Sequence, residues 1–311
     1  MTLGVALAWH ALSWEELLQV TRLAEERGYE TLYHDGDVSM LGTRSETEVL
    51  DGWTVSTALL AHTKRIAVSS IRLVAHWNAA HLAQAAVTAD RLAPGRTRLF
   101  ISIGERPEDP RFGYPELSPG QRIAWLEETL EAARALWQGD AVTRRGRFVQ
   151  LDAARVRPRP PGGRLPVEIA GRSRGLLDVV ARHADIWNMN LPPVPERVRH
   201  AEGQLEAACA SIGRDPAEIQ RSMWIFTRVQ PRAQPLDRLG EYRRLNPWFG
   251  ELGDEELRAN LVVGEASTCA EQLAEIAGRL GIERPVVDLS GADFETVLRT
   301  LEALPAPASS R

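Results

Sequence analysis

The residues best able to do chemistry in this chain lie where short apolar runs give way to loops. Gly171-Arg172-Ser173-Arg174-Gly175 is the most informative of them. Two glycines bracket two arginines and a serine just where a helix begins. Free backbone N–H groups and the positive end of a helix dipole make such a turn an anion site, and guanidinium groups suit a phosphate. The same residues also read as an ordinary strand-to-helix turn with solvated arginines. Glu105, after Ile103-Gly104, could exchange a proton with a bound ring or pair with Arg106 at the surface. His10 could serve as a general acid or base, or only pack. Asp35 could contact substrate or orient a neighbour, or cap the next loop. Trp9, Trp53, His76, Trp77 and Asn188 fall near the same strand ends and could line an apolar pocket.

Other chemistries find less support. His10, His34, Asp35 and His76 could meet around a metal, but HxH on the first strand and HExxH anywhere are absent, so no metal is expected. Nucleophilic hydrolysis by a serine is weaker still.

These positions matter because of the elements that carry them. Apolar runs at Leu3–Ala8, Glu30–Tyr33, Arg65–Ile71, Thr97–Ile103, Pro166–Ala170, Asp185–Met189, Ser222–Val229 and Pro285–Leu289 read as strands, and helix-period segments separate them. Ser13 with Glu16 opens the first helix as a capping box, and Gly28 closes it. Thr268 and Glu271 read as the cap of the penultimate helix. Eight β–α alternations imply a parallel sheet closed into a (β/α)8 TIM barrel, α/β in class, with active-site groups at the C-terminal strand ends. An open dinucleotide-binding sheet would carry GxGxxG after its first strand; this chain has Ala8-Trp9-His10-Ala11. A small hairpin is expected at 142–151, and residues 230–262 read as an insertion or lid within a single domain spanning 1–311.

The bulk composition agrees. A chain of 311 residues suits one α/β barrel with an insertion, and 44% hydrophobic with 25% charged residues is an ordinary globular balance. A net charge of −5 excludes the basic footprint of a nucleic-acid binder. Two cysteines without a CxxC pair, no secretory leader and no 18-residue apolar run point to the cytoplasm, away from membranes.

Several segments, in order, resemble the luciferase-like family of bacterial luciferase, FMN-dependent two-component monooxygenases and coenzyme F-420-dependent reductases and dehydrogenases. They are His81 to Gly104, Phe112-Gly113, Leu126-Glu127-Glu128, Gly146-Arg147-Phe148, Ile169 to Gly175, Ala181 to Asn188, and Val263-Gly264. The resemblance implies a cofactor phosphate on Ala170, Gly171, Arg172, Ser173, Arg174 and Gly175. It implies a flavin or deazaflavin ring across the mouth, near Gly104 and Glu105. At Ile71 and Arg72 it implies ring support by a non-prolyl cis bond. Glu105, His10 and Asp35 then become the catalytic candidates. Sugar-phosphate dehydrogenases of the F-420 branch carry Asp-His after the second strand; here Asp35-Gly36 stands instead, which disfavours that substrate. The reading that follows is an F-420-dependent hydride transferase for a small organic substrate, such as a secondary metabolite or peptide. The alternatives are an FMN-dependent monooxygenase served by a flavin reductase, or a non-catalytic flavin binder. The family habit implies a homodimer.

Overall fold

Near-continuous apolar runs let each strand bury both of its faces, as a parallel sheet covered by helices requires. A computed structural model describes residues 2–7, 12–35, 50–104, 109–230, 238–246, 252–258 and 261–304. The strands are β1 (Gly4–Leu7), β2 (Thr31–His34), β3 (Ala67–Ser70), β4 (Arg72–Leu73), β5 (Leu99–Ser102), β6 (Val142–Arg145), β7 (Gln150–Ala154), β8 (Val167–Ala170), β9 (Ile186–Asn188), β10 (Gln220–Val229), β11 (Val262–Gly264) and β12 (Arg284–Asp288). The helices are α1 (Trp14–Glu26), α2 (Gly52–His62), α3 (Ala79–Leu92), α4 (Pro119–Trp137), α5 (Arg174–His183), α6 (Pro195–Ile212), α7 (Arg238–Leu245), α8 (Asp254–Arg258), α9 (Ala266–Leu280) and α10 (Phe294–Ala303).

The parallel strands follow the order β3-β2-β1-β12-β10-β9-β8-β5-β4. β3 and β4 are two parts of the third stave: β3 pairs with β2, and two residues later β4 pairs with β5. The change of partner at Ile71 brings the two ends of the sheet together. The inner face holds Ala6, Tyr33, Phe100, Ala170 and Val286, with Ile71 and Trp224 packed against them. The outer face packs on the helices around a large aliphatic core that includes Leu17, Leu59, Leu82, Leu130 and Leu177.

Local signals set the helix ends. The Ser13–Glu16 capping box forms as expected, and Ser118 with Gln121 makes a second. Asn78 accepts from the N–H groups of Ala80 and His81 at the start of α3. Each such cap contributes about 1 kcal/mol. The penultimate helix departs from expectation. Its N-cap is Glu265, not Thr268, because β11 ends at Gly264 and the chain turns directly into α9. Thr268 lies inside the first turn. The stretch 230–262 contains α7 and α8, whose Leu239, Tyr242, Leu245 and Leu257 form a small core with Phe226 and Leu252. It leads into β11, which pairs in parallel with β10. No helix among the described residues is long and apolar enough to cross a membrane.

The hairpin β6–β7 is tied to α4 by one carboxylate. Glu128 accepts from the backbone N–H groups of Arg147 (3.0 Å), Phe148 (2.9 Å) and Val149 (2.8 Å). Gly146 is needed there, since a Cβ would fall 2.2 Å from Glu128 Oε2 and 2.8 Å from the Val149 carbonyl. Burial alone would raise the Glu128 carboxyl, but the three N–H donors and Arg144 outweigh it and hold it below the usual range. A lowered carboxyl stabilises the fold above its unfolded value, about 4.3, and that contribution is lost as pH falls through the folded value. Hydrogen exchange at Arg147–Val149 is therefore expected to lose protection on acidification below pH ~4. In Glu128→Gln the same amides should exchange fast at every pH; protection that ignores both changes would refute the tie.

Candidate active site

Parallel closure puts every strand's C-terminal end at one mouth, so Asp35, Ile71, Gly104, Ala170 and Asn188 share one end of the barrel. Residues 8–11 and 105–108 lie outside the described residues, and with them Trp9, His10 and Glu105. Asp35 is buried, and its carbonyl receives His34 Nδ1 at 2.9 Å. His34 Nε2 lies 2.9 Å from Ser56 Oγ, which itself donates to the Gly52 carbonyl. The second strand end is thereby pinned to the start of α2.

The expected pair Ile71 and Arg72 splits between two faces. Ile71 turns to the barrel interior and is half-buried. Arg72 is buried behind it: Nη1 donates to Ser70 Oγ at 2.6 Å, and the guanidinium stacks over Trp53 at 4.4 Å and near Trp77 at 5.7 Å. Trp53 and Trp77 lie 5.7 Å apart. These three residues, expected to serve ring and substrate, form a cation–π cluster that braces the mouth. Among the described residues the one cis peptide is Arg157–Pro158, so the cis bond expected at Ile71–Arg72 is absent. The chain changes strand partners there on an ordinary trans backbone. His76 sits apart from that cluster, stacked on Tyr114 at 3.8 Å with Nε2 3.1 Å from Asp109 Oδ1.

The wall from β5 to β8 carries small residues. Ser102 Oγ donates to the Ala170 carbonyl at 2.9 Å. Gly104 has φ +65°, and a Cβ there would meet Leu73 at 3.0 Å. Gly171 has φ +146°, and a Cβ would overlap Leu176 at 1.9 Å. Its N–H donates to the Asn188 carbonyl at 3.0 Å, and its carbonyl accepts from Trp187 Nε1 at 2.7 Å. The loop is thus fixed at Gly171 and opens outward after it. Arg172 is half-buried, while Ser173, Arg174 and Gly175 are exposed. Ser173 is the N-cap of α5 but makes no capping bond with its hydroxyl, and its carbonyl takes the N–H groups of Leu176 and Leu177. The amides of Ser173, Arg174 and Gly175 precede those bonds and face outward from the helix start.

Asn188, expected in the pocket lining, instead turns its amide inward to Glu168 Oε1 at 3.2 Å. Glu168 is fully buried inside the barrel. Its other oxygen accepts from Tyr33 OH at 2.9 Å, and Arg98 lies 3.6 Å away. Burial pushes the Glu168 carboxyl up; Arg98 and the two donors oppose it. Both oxygens accept hydrogen bonds, the arrangement of an ionised carboxylate. The composition of the fifth strand signals this residue: a glutamate inside Pro166–Ala170 has no room among apolar neighbours without a partner.

Asp288, at the end of β12, was also missed. It pairs in register with Ala6 and Phe226, is buried, and accepts from the Ser290 N–H at 2.9 Å. Burial raises its carboxyl above the usual range, against the Ser290 hydrogen bonds and nearby Arg228. The strand-end rule applied to the eighth strand would have found it. Next to it, buried Arg228 donates to Glu241 Oε1 of α7 at 2.6 Å and to the Ser290 carbonyl at 2.6 Å. Burial and the charge of Asp288 raise the Tyr242 phenol of α7, against nearby Arg172. A separate cavity of about 480 Å³ lies at the opposite end, lined by Glu30, Arg96, Arg98, Arg164, Asp185 and Arg284 among others. Its arginines are engaged by internal partners, and the strand starts that form it are away from the mouth.

Known proteins share this sequence pattern and this fold. A family profile for luciferase-like monooxygenases matches residues 1–238. The chain belongs to that family. Its members and close structural neighbours are oxidoreductases. A pyrimidine monooxygenase RutA of Rhizobium rhizogenes is 25% identical over 94% of this chain and 81% of its own length. The homologous RutA of Allorhizobium ampelinum is 28% identical over 59% of this chain, which spans about half (52%) of that relative. A phthiodiolone/phenolphthiodiolone dimycocerosates ketoreductase of Mycobacterium bovis is 32% identical over 46% of this chain and 37% of its own length. In fold, an F-420-dependent secondary alcohol dehydrogenase bound to an F-420–acetone adduct superposes with a TM-score of 0.82 at 19% identity, covering 98% of this chain and 99% of the other. The long-chain alkane monooxygenase LadA gives 0.79 at 15% identity, covering 98% and 90%.

Two substitutions test this architecture. Glu168→Ala leaves Arg98 buried without its carboxylate and should cost about 3–5 kcal/mol in denaturant unfolding. Gly171→Ala forces a side chain into a left-handed backbone and onto Leu176; a loss of about 1–3 kcal/mol is expected. Stability equal to the parent in either variant would contradict the geometry.

Proposed function

We propose that this chain is a coenzyme F-420-dependent oxidoreductase that transfers hydride to or from a small organic substrate. The observation that carries the reading is the open start of α5 beside the mouth. The outward amides of Ser173, Arg174 and Gly175, the uncommitted Ser173 hydroxyl and the two guanidinium groups suit a cofactor phosphate. The small residues Ser102, Gly104 and Ala170 leave the adjoining wall clear for a flat ring. The likeness in fold to an F-420-dependent dehydrogenase supports the same choice.

When bound, the deazaflavin supplies the hydride chemistry. The chain's part is then to hold the phosphate on Arg172 and Arg174, to back the ring with Ile71, and to move the accompanying proton. Glu105, His10 and Asp35 are the groups we assign to that proton. The α7–α8 segment over the mouth acts as the lid of the single domain. Two buried free cysteines suit a reducing cytoplasm, where the chain acts as a homodimer on a small molecule or peptide. The RutA relationship over nearly the whole chain favours a second reading, an FMN-dependent monooxygenase fed by a separate flavin reductase.

Fluorescence titration with F-420, FMN and reduced FMN separates the two. F-420 binding without FMN binding is expected. Tight binding of reduced FMN alone would overturn the first reading in favour of the second. Arg172→Ala and Arg174→Ala should each weaken F-420 binding by about tenfold, and unchanged affinity in both would remove the loop from the site. Glu105→Gln should lower kcat by about 100-fold or more with F-420 affinity retained.

A further inference from the structure

The second site is on the outer helical shell, remote from the barrel mouth. Glu127 and Glu131 are spaced i, i+4 on α4, so their carboxylates share one helix face. His183 closes α5 against that face. The three ligand atoms lie within 4.8 Å of one another, with His183 Nε2 3.9 Å from Glu127 Oε1. His183 is buried, at 8% exposure, and its Nε2 has no hydrogen-bond partner. A buried ring nitrogen without a partner is unfavourable and calls for one. It points at two carboxylates, whose side chains are 30% and 42% exposed and so open to a solvated ion.

We propose that Glu127, Glu131 and His183 bind one divalent transition-metal cation of the zinc class and clamp α4 to α5. One imidazole nitrogen with two carboxylate oxygens favours zinc, cobalt or nickel over magnesium or calcium, which prefer oxygen alone. Three protein ligands leave a water to complete a tetrahedron, and the exposed side of the glutamates admits it. The ligand atoms must close by roughly 1 Å to reach metal–ligand distances near 2 Å, within the reach of two glutamate rotamers. Arg182 pairs with Glu127 through Oε1 and Arg144 with Glu131 through Oε2. Glu127 Oε1 is also the oxygen that faces His183, so a cation there would share it with Arg182 or take Oε2 after a rotation of the carboxylate, while Glu131 keeps Oε1 for the ion.

The test is a titration of the untagged, chelator-treated full chain with cobalt(II), zinc(II) and magnesium(II). One equivalent of cobalt per chain should bind with a visible d–d band, zinc should displace it, and magnesium should not. Glu127→Gln and Glu131→Gln, neither of them a buried position, should each weaken zinc binding by about tenfold or more while unfolding in chelator stays unchanged. His183→Gln should abolish the cobalt band. Failure to take up an equivalent of cobalt or zinc, or equal zinc affinity in the parent and both glutamate variants, would overturn the site.

Discussion

A carboxylate inside the barrel organises the mouth above it. Glu168 is fully buried, and an ionised group there is tolerable only with its charge matched and both oxygens bonded. Arg98 supplies the charge from the strand starts, and Tyr33 and Asn188 supply the donors. Arg98 is in turn held by Thr31 Oγ1 at 3.0 Å and the Tyr33 hydroxyl at 3.1 Å. Four staves (β2, β5, β8 and β9) are therefore locked in register by one polar column. A one-residue slip of any of them would turn its polar member into the aliphatic layer outside.

That column reaches the candidate phosphate loop through the backbone. Asn188 uses its side chain on Glu168 and its carbonyl on the N–H of Gly171. Trp187, one residue earlier and on the opposite face, donates its indole N–H to the carbonyl of the same glycine. Both polar groups of Gly171 are fixed, while Ser173, Arg174 and Gly175 are exposed. A rigid root with an open rim is what a phosphate cradle needs: the amides are aimed before the anion arrives, so little ordering entropy is lost on binding. The opposite rim is built differently. There α7 and α8 rest on a small core and on the Arg228–Glu241 pair.

The sequence was most legible where periodicity and caps agree. Eight alternations are enough for the barrel, and the α6 bounds match the reading at both ends because Pro195 starts the helix and Gly213 stops it in a left-handed conformation. The site was legible as a set of strand ends but not as a set of contacts. Strand position told that Ile71 and Arg72 lie at the rim; it could not tell which side chain faces inward, since the stave breaks between them and its partner changes. The aromatic character of Trp53 and Trp77 suggested a pocket, yet their faces are occupied by Arg72. Asn188 and Glu168 were invisible as a pair because they join two strands 20 residues apart. Asp288 was overlooked at the eighth strand end, although the rule that found the others applies to it equally.

The distribution of arginines explains why only one end of the barrel reads as an anion site. In a parallel barrel every βα loop leads into a helix N-terminus, so the positive helix ends surround the mouth and the negative ends surround the opposite face. Arginines at the opposite face answer those carbonyls. Arg214 donates to the carbonyls of Ala181 and Ala184 at the end of α5, and Arg134 to that of His183. Arg27 reaches Glu302 and Leu304 at the end of α10, Arg96 reaches Leu60 near the end of α2, and Arg159 reaches Gln138 after α4. Their charge is spent on helix C-termini, and a further anion there would compete with the protein's own carbonyls. Arg174 stands at the other pole, at the start of a helix whose dipole has the same sign as its guanidinium. A cation is unfavourable in that position by itself, and an anion bound between the two would relieve it.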